Sequence, residues 1–357
     1  MPEQKVYSIA LIPADGIGKE VVEATVKVLD ALTQKITSFR LEYTTYDWGS
    51  DRYRKIGSFM PPDGTSQLKK HDACLFGSVG APDIPDHVSL WGLLLAIRGP
   101  MQLYANVRPV KVFKGTKSYI RDVSEGDIDW LLVRENSEGE YSGHGGRSHV
   151  GQPWEVATEV AIFTRVGVER IIRFAFEAAR SRERKQLTVV TKSNSLRNGL
   201  VLWDEVANEV SHDFPDVKWD KMLVDAMTVR MVSRPRSLDV VVGTNLHMDI
   251  LSDLAAVLSG SIGVAPSSNL DPTRKNPSLF EPVHGSAFDI TGKGVANPVA
   301  TIWSACEMLK WIGEEDASAV LFQALEEVTA KGQCTVDLGG SLNTLEVVDA
   351  LRSELLQ

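Results

Sequence analysis

The sequence predicts an α/β protein. Apolar, β-branched runs of strand length alternate with segments of helical periodicity, and polar or glycine-rich residues stand directly after each run. In such proteins the chemistry gathers beyond the carboxyl ends of the strands. The length of 357 residues allows two or three domains and a large core. No internal repeat, low-complexity segment or flexible tether interrupts the chain, so a second domain must be joined through the fold.

Val6–Ile12 reads as the first strand, with a turn at Ala14-Asp-Gly-Ile-Gly18 after it. A helix then runs from about Lys19 to Leu32, with Val21, Val22, Val26, Val28, Leu29 and Leu32 on its buried side. Ala73–Phe76 is a short buried strand ending in Gly77-Ser-Val-Gly80. Trp130–Val133, Leu187–Val190 and Leu238–Val242 read as further strands, each with polar residues behind it. The two glycines of "ADGIG" do not have the GxGxxG spacing, and no acidic residue follows a second strand at the expected distance. A tight strand-to-helix turn and a cofactor-side role are both open there.

Bulk properties exclude several classes. A net charge of −9 argues against nucleic-acid binding, which needs a basic surface to displace counterions. Cys74, Cys306 and Cys334 are widely spaced and form no CxxC, as expected of reduced thiols in a cytoplasmic protein. No run reaches the length of a membrane span, and the N-terminus lacks a secretory pattern.

The informative residues are charges in apolar or glycine-rich surroundings. Asp249 and Asp253 stand four apart in "GTNLHMDILSDL", so a helix would place two like charges on one face. Asp225 interrupts the helix-like run "VDAMTVRMV" and is either a buried, paired carboxylate or a third ligand. Three aspartates offer the hard oxygen donors suited to Mg²⁺ or Mn²⁺ rather than zinc, and a cation would remove the repulsion. Arg98, Arg108 and Arg134 lie near strand ends and suit bidentate carboxylate recognition, although a lone Arg is more often a surface or structural residue. Lys192 follows "LTVVT" and is either a solvated lysine or a general base. Tyr141, among the glycines of "ENSEGEYSGHGG", is an acid or merely a loop aromatic.

With these residues in hand, the chain resembles the β-decarboxylating dehydrogenases of the isopropylmalate/isocitrate dehydrogenase superfamily almost end to end. The motifs are "DGIGKEV", "IRGPMQLYANVRPV", "VRENSEGEYS", "TKSN", "VDAM", "DILSD" and "EPVHGSAFDITGKGVANP". Within it, "HVSLWGLLLAIR", "TNLHMDILSD" and "SLFEPVHGSAFDI" are most similar to the tartrate/D-malate dehydrogenase branch.

The resemblance implies a two-domain α/β/α fold of the isocitrate/isopropylmalate dehydrogenase type, without a standard Rossmann fingerprint. A large discontinuous cofactor-side domain would hold residues 1–103 and 260–357, and a smaller dimerisation and catalytic domain residues 104–259. By motif position, Arg98, Arg108 and Arg134 bind the substrate carboxylates. Asp225, Asp249 and Asp253 hold Mn²⁺ or Mg²⁺, and Lys192 and Tyr141 move protons. Glu281, His284, Gly285, Ser286, Ala287, Asp289, Ile290 and Asn297 bind NAD. A monovalent cation such as K⁺ is compatible with the resemblance. It also implies a homodimer in which the partner subunit's Lys192 and Asp225 complete each site. The substrate would be a small dicarboxylic 2-hydroxy acid, tartrate or D-malate, oxidised with decarboxylation for some substrates.

Ala14, Phe288, His247-Met248 and Gly99-Pro100 depart from the usual motifs without removing a proposed ligand. A 3-isopropylmalate dehydrogenase is the nearest alternative and shares every catalytic residue. An isocitrate dehydrogenase is expected to carry Ser six residues before Arg98, where this chain has Gly92. A metal-dependent lyase that does not use NAD is the alternative of another class, and a non-catalytic binding protein fits least.

Overall fold

A computed structural model describes residues 4–357. The strands are β1 (Lys5–Ala14), β2 (Phe39–Thr45), β3 (Ala73–Ser78), β4 (Ala105–Lys111), β5 (Asp129–Glu135), β6 (Gly139–Ser148), β7 (Val156–Ile162), β8 (Gln186–Thr191), β9 (Lys218–Leu223), β10 (Val240–Gly243), β11 (Pro266–Leu270) and β12 (Ser278–Pro282). The helices of the first third are α1 (Gly18–Lys35), α2 (Ser50–Ile56), α3 (Gly64–Leu68), α4 (Asp86–Ser89) and α5 (Leu95–Arg98). After them come α6 (Arg165–Arg180), α7 (Gly199–Ser211), α8 (Val224–Ser233), α9 (Asn245–Leu258), α10 (Val299–Trp311), α11 (Glu315–Ala330) and α12 (Thr344–Leu356).

Two compact units divide the chain: Met1–Leu103 with Lys111–Gly126 and Ala256–Gln357, and Tyr104–Val110 with Asp127–Ala255. The boundaries differ from the expected 1–103 with 260–357 against 104–259. Residues 111–126 belong to the first unit, where Lys111 pairs with Glu326 of α11 and Ser118 Oγ donates to the Leu258 carbonyl.

In the first unit the strand order is β2-β1-β3-β12-β11, parallel from β2 through β12 and antiparallel only at β11. Strand β3, "ACLFGS", is buried along its whole length, as a parallel strand covered on both faces must be. Helix α1 follows its apolar spacing, with Val21, Val22, Val28, Leu29 and Leu32 nearly or wholly buried. Val26, expected on the buried side, is only half-buried.

Two features of this unit constrain its sequence closely. Gly16 has φ +55°, and a Cβ there would stand 1.9 Å from the Ser286 carbonyl oxygen, to which Ile17 N donates at 2.9 Å. The "ADGIG" turn is thus stitched directly to the "EPVHGSAFDI" loop. Ala14, where related motifs carry glycine, also adopts a left-handed φ of +54°, which costs an L-residue on the order of 1 kcal/mol. The second feature is Leu90–Leu94, a π-helical stretch joining α4 to α5. Gly92 lies against the Phe59 ring, and a Cβ there would come within 2.4 Å of it. Leu93 is buried, whereas Trp91 is 46% exposed and does not pack in the core.

The second unit has the order β4-β5-β10-β8-β9, with β5, β10, β8 and β9 parallel. Strand β10 begins two residues later than expected because Asp239 is spent on the strand entrance, accepting from Arg182 Nε at 2.5 Å and Gln186 N at 3.1 Å. Strands β6 and β7 form a separate antiparallel ribbon.

Replacing Gly16 by alanine should lower stability by roughly 2–4 kcal/mol, from left-handed strain plus the contact with Ser286. Urea unfolding measures this; an unchanged midpoint would contradict the stitching of the two loops.

Candidate active site

In the second unit, strand register brings most of the expected residues to one edge. Arg134 of β5 and Val190 of β8 both lie opposite Gly243 of β10, and Thr191 lies opposite Leu223 of β9. Lys192 therefore follows directly on β8, Asp225 sits in the first turn of α8 after β9, and α9 starts just past β10. These are the carboxyl ends of a parallel sheet, the usual place for a ligand.

Helix α9 carries Asp249 and Asp253 one turn apart. Arg134, almost fully buried, reaches one Asp249 carboxylate oxygen, and Tyr141 Oη donates to the other at 3.0 Å. The Arg108 guanidinium stands 4.0 Å from the first oxygen. Arg134 is itself fixed by Asn245, whose Oδ1 accepts from Nε at 2.9 Å and Nη2 at 2.6 Å. Its guanidinium carbon lies 5.4 Å from the centre of the Tyr141 ring. Asn106 Oδ1 accepts from Arg108 Nε at 2.9 Å. Two buried arginines are thereby aimed and held before any ligand arrives.

The electrostatics of the two carboxyls differ. Burial alone would raise Asp249, but Arg134, Arg108 and Tyr141 outweigh it and hold the group below the usual range. Asp253 is pushed up, chiefly by burial and further by the charge on Asp249, against the pull of Arg108 and Arg134. The arginines thus answer part of the like-charge repulsion on this face. The pair offers hard oxygen donors of the kind a divalent cation takes.

Lys192 Nζ donates to Asp225 Oδ1 at 2.6 Å. Asp225 is not a buried carboxylate: its side chain is 65% exposed, and the hydrogen bond from Lys192 holds it below the usual range. Among the described residues, no three His, Cys, Asp or Glu side chains approach closely enough to hold a metal. One chain therefore does not gather Asp225 with Asp249 and Asp253. Tyr141 is not a loop residue either, since it lies in β6 at the base of the ribbon. His247, a departure from the usual motif, is buried below Lys192 and Glu140; burial lowers it, Glu140 opposes that and Lys192 adds to it.

In the first unit, Arg98 Nη2 donates to Glu281 Oε1 at 2.6 Å, both groups being buried, while Arg98 Nε is buried without a partner. Asn269 Nδ2 also donates to Glu281 Oε1, at 2.8 Å. Glu281 thus spends one carboxylate oxygen on orienting Arg98. Beyond it, His284 Nδ1 lies 3.0 Å from the Gly285 carbonyl oxygen, and His284 Nε2 is buried with no partner. An orphaned polar atom in this loop fits a bound polar ligand. Ser286 is tied to the "ADGIG" turn, Ala287 has φ +40°, Ile290 is half-buried and Asp289 is exposed. Asn297 is occupied structurally: Nδ2 donates to Asp337 at 2.9 Å and Oδ1 accepts from Val299 N at 3.0 Å.

Sequence reasoning passed over several residues that aim the others. Asp15 accepts from Ser50 N, Ser50 Oγ and Gly80 N at 2.8, 2.6 and 2.9 Å, tying three loops together. Glu140 accepts from Thr244 Oγ1 at 2.8 Å and Leu246 N at 3.2 Å, capping the start of α9. Asn245 orients Arg134. The available signal was position: each is polar and sits within a motif, and those of Glu140 and Asn245 also carry candidate ligands.

The sequence pattern of the isocitrate/isopropylmalate dehydrogenase family matches residues 8–351. The chain belongs to this family. A probable tartrate dehydrogenase/decarboxylase of Agrobacterium vitis is 62% identical over 97% of this chain and 96% of its own length. The decarboxylating D-malate dehydrogenase of Escherichia coli K12 is 46% identical over 99% of both chains. Among solved structures, the isocitrate dehydrogenase of Methylococcus capsulatus superposes with a TM-score of 0.90 at 36% identity, covering 98% of this chain and all of that one. The expected fold is therefore the observed one. No helix of the described residues is long and apolar enough to cross a membrane.

Glu135, directly after Arg134, has burial push its carboxyl up from 4.5 to about 7, despite hydrogen bonds from Ser137 and from Glu138 N. A folded pKa above the unfolded one stabilises below the unfolded value and is lost as pH rises through the folded value. From about pH 4.5 to about 7, the wild type should therefore lose on the order of 1–3 kcal/mol through this group. Glu135→Gln should remove that component of the pH dependence in urea titrations. Identical profiles for the two proteins would refute the protonated carboxyl.

Proposed function

We propose that this chain is an NAD- and divalent-metal-dependent dehydrogenase of small 2-hydroxy diacids, tartrates and D-malate, with decarboxylation after oxidation for some substrates. The observation that carries the reading is the Arg134–Asp249–Tyr141 constellation, in a chain 46–62% identical to relatives named for these activities. Arg108 and Arg134 present buried guanidinium groups suited to substrate carboxylates, and Arg98 is assigned the same role in the first unit. Lys192 Nζ is assigned the C2 hydroxyl proton, directly or through water, and the Asp225 carboxylate keeps Nζ oriented. Tyr141 is assigned delivery of a proton to carbon after CO₂ leaves, its hydroxyl donating to Asp249.

Asp225, Asp249 and Asp253 would hold Mn²⁺ or Mg²⁺, and the loop from His284 to Ile290, with Glu281 and Asn297 as its supports, would hold NAD. When bound, the nicotinamide accepts hydride and the cation makes a coordinated hydroxyl more acidic. Asp289 is exposed and acidic, which suits a ribose 2′-hydroxyl and repels a 2′-phosphate.

The metal set requires a second copy of the chain. Exposed apolar side chains support a homodimer: Val229 and Val232 on α8, Leu246, Ile250 and Val257 on α9, and Val156 and Val160 on the ribbon. In such a dimer the partner subunit's Lys192 and Asp225 complete the site on α9.

Substrate size favours diacids with H or OH at C3. Gly92 faces Phe59, so a serine there would point into the ring rather than offer a hydroxyl to a third carboxylate. An unpaired buried carboxylate is heavily penalised. NAD reduction should be strongest with D-malate and the tartrate isomers and at least about tenfold weaker in kcat/KM with 3-isopropylmalate and isocitrate, and NADP reduction should be similarly weaker. A preference for 3-isopropylmalate would move the assignment to that alternative. No reduction of NAD with any 2-hydroxy diacid would favour the lyase.

A further inference from the structure

Beyond the proposed reaction, the first unit contains a cavity of about 720 Å³ that none of the residues assigned above lines. It opens at the carboxyl ends of β1 and β2, between α1 and α2. This is where open α/β sheets receive ligands, and the volume is that of a small-molecule site. Val26, which the periodicity of α1 places in the core, instead lines this space with Val22, Trp48 and Ile56. Trp48 packs against Tyr46 at 4.5 Å between ring centres, so the wall includes an aromatic pair.

The charged lining is unevenly paired. Asp51 is taken up by Lys19 at 2.7 Å and Arg54 at 2.8 Å, and Glu23 by Lys27 at 2.9 Å. Arg52 and Lys55 also line the cavity, and neither has an ion-pair partner among the described residues. Arg52 Nε is buried with no hydrogen-bond partner, a cost that a bound anion would remove. The lining carries three positive groups (Lys19, Arg52 and Lys55) and three negative ones (Glu23, Asp47 and Asp51), neutral overall, with Arg52, Lys55 and Asp47 left outside ion pairs among the described residues.

We propose that this cavity binds a small amphipathic anion: a flat apolar body seated on Val22, Val26 and Trp48, with one carboxylate or phosphate on Arg52 and Lys55. The guanidinium offers Nε, already desolvated, to the anion.

Isothermal titration calorimetry of the full-length protein tests this, using 2-naphthoate, its uncharged analogue 2-naphthalenemethanol, and AMP. One naphthoate should bind per chain, with the alcohol at least about tenfold weaker. Arg52→Gln should weaken naphthoate by a similar factor, and Val26→Trp should abolish binding by filling the space. Circular dichroism checks the fold of each variant, and Lys55→Gln replaces Val26→Trp if that protein does not fold. AMP binding that is lost in the same variants would assign a phosphate ligand; AMP binding untouched by them, with naphthoate binding lost, would assign a carboxylate. Equal affinity for acid and alcohol, or naphthoate binding unchanged by Arg52→Gln, would overturn the proposal.

Discussion

The second unit depends on one ion pair, the buried Arg134 with the partly exposed Asp249. Asp249 sits on the first turns of α9 with Asp253 one turn further on, a placement that isolated helices disfavour. The fold tolerates it because Arg134 arrives from the end of β5, in register with the residue where β10 ends, and Asn245 holds its guanidinium from two directions. Glu140 caps the start of the same helix, and the next residue, Tyr141, donates to Asp249. Strand register, helix start and ribbon base are thus fixed around one carboxylate.

That arrangement couples stability to chemistry. A partly buried charge pair is weak as a source of net stability, because desolvation and solvent screening offset much of the attraction. Its value here is orientation: Arg134, Tyr141 and Asp249 hold one another in place without a bound ligand. The same logic recurs in the first unit, where Glu281 and Arg98 form a buried pair and Asp15 ties three loops beside the "ADGIG" turn. Leaving Arg98 Nε and His284 Nε2 buried without partners is costly in the free protein, and bound ligands would relieve it.

Much of this was legible in the sequence because strand ends announce themselves. Lys192, Arg134 and the α9 aspartates each follow a β-branched run, and the i, i+4 spacing of Asp249 and Asp253 survives unchanged in the helix. What was not legible depends on contacts between segments distant in sequence. Tyr141 reads in the sequence as an acid or a loop aromatic because its glycine-rich neighbours hide the β6–β7 ribbon, which forms only with the distant partner strand. Asp225 resembled a buried carboxylate because its neighbours are apolar, yet Met227 and Met231 take the buried face and leave it outside. Val26 fitted the buried stripe of α1, but the cavity beside it depends on where α2 packs. Gly92 showed in the sequence only as the absence of a serine; its contact with the Phe59 ring, more than thirty residues earlier in the chain, was not legible.

The central claim is that the carboxylates of α9 work with a lysine–aspartate pair from a second copy. Mixing Lys192→Ala subunits with Asp249→Asn subunits tests it most directly, because each mixed dimer would hold one site with both defects and one with neither. The account predicts that both parent dimers are nearly inactive in NADH formation with D-malate and Mn²⁺, and that activity returns in proportion to the heterodimers formed. Heterodimers proven by tagged co-purification but as inactive as their parents would contradict it.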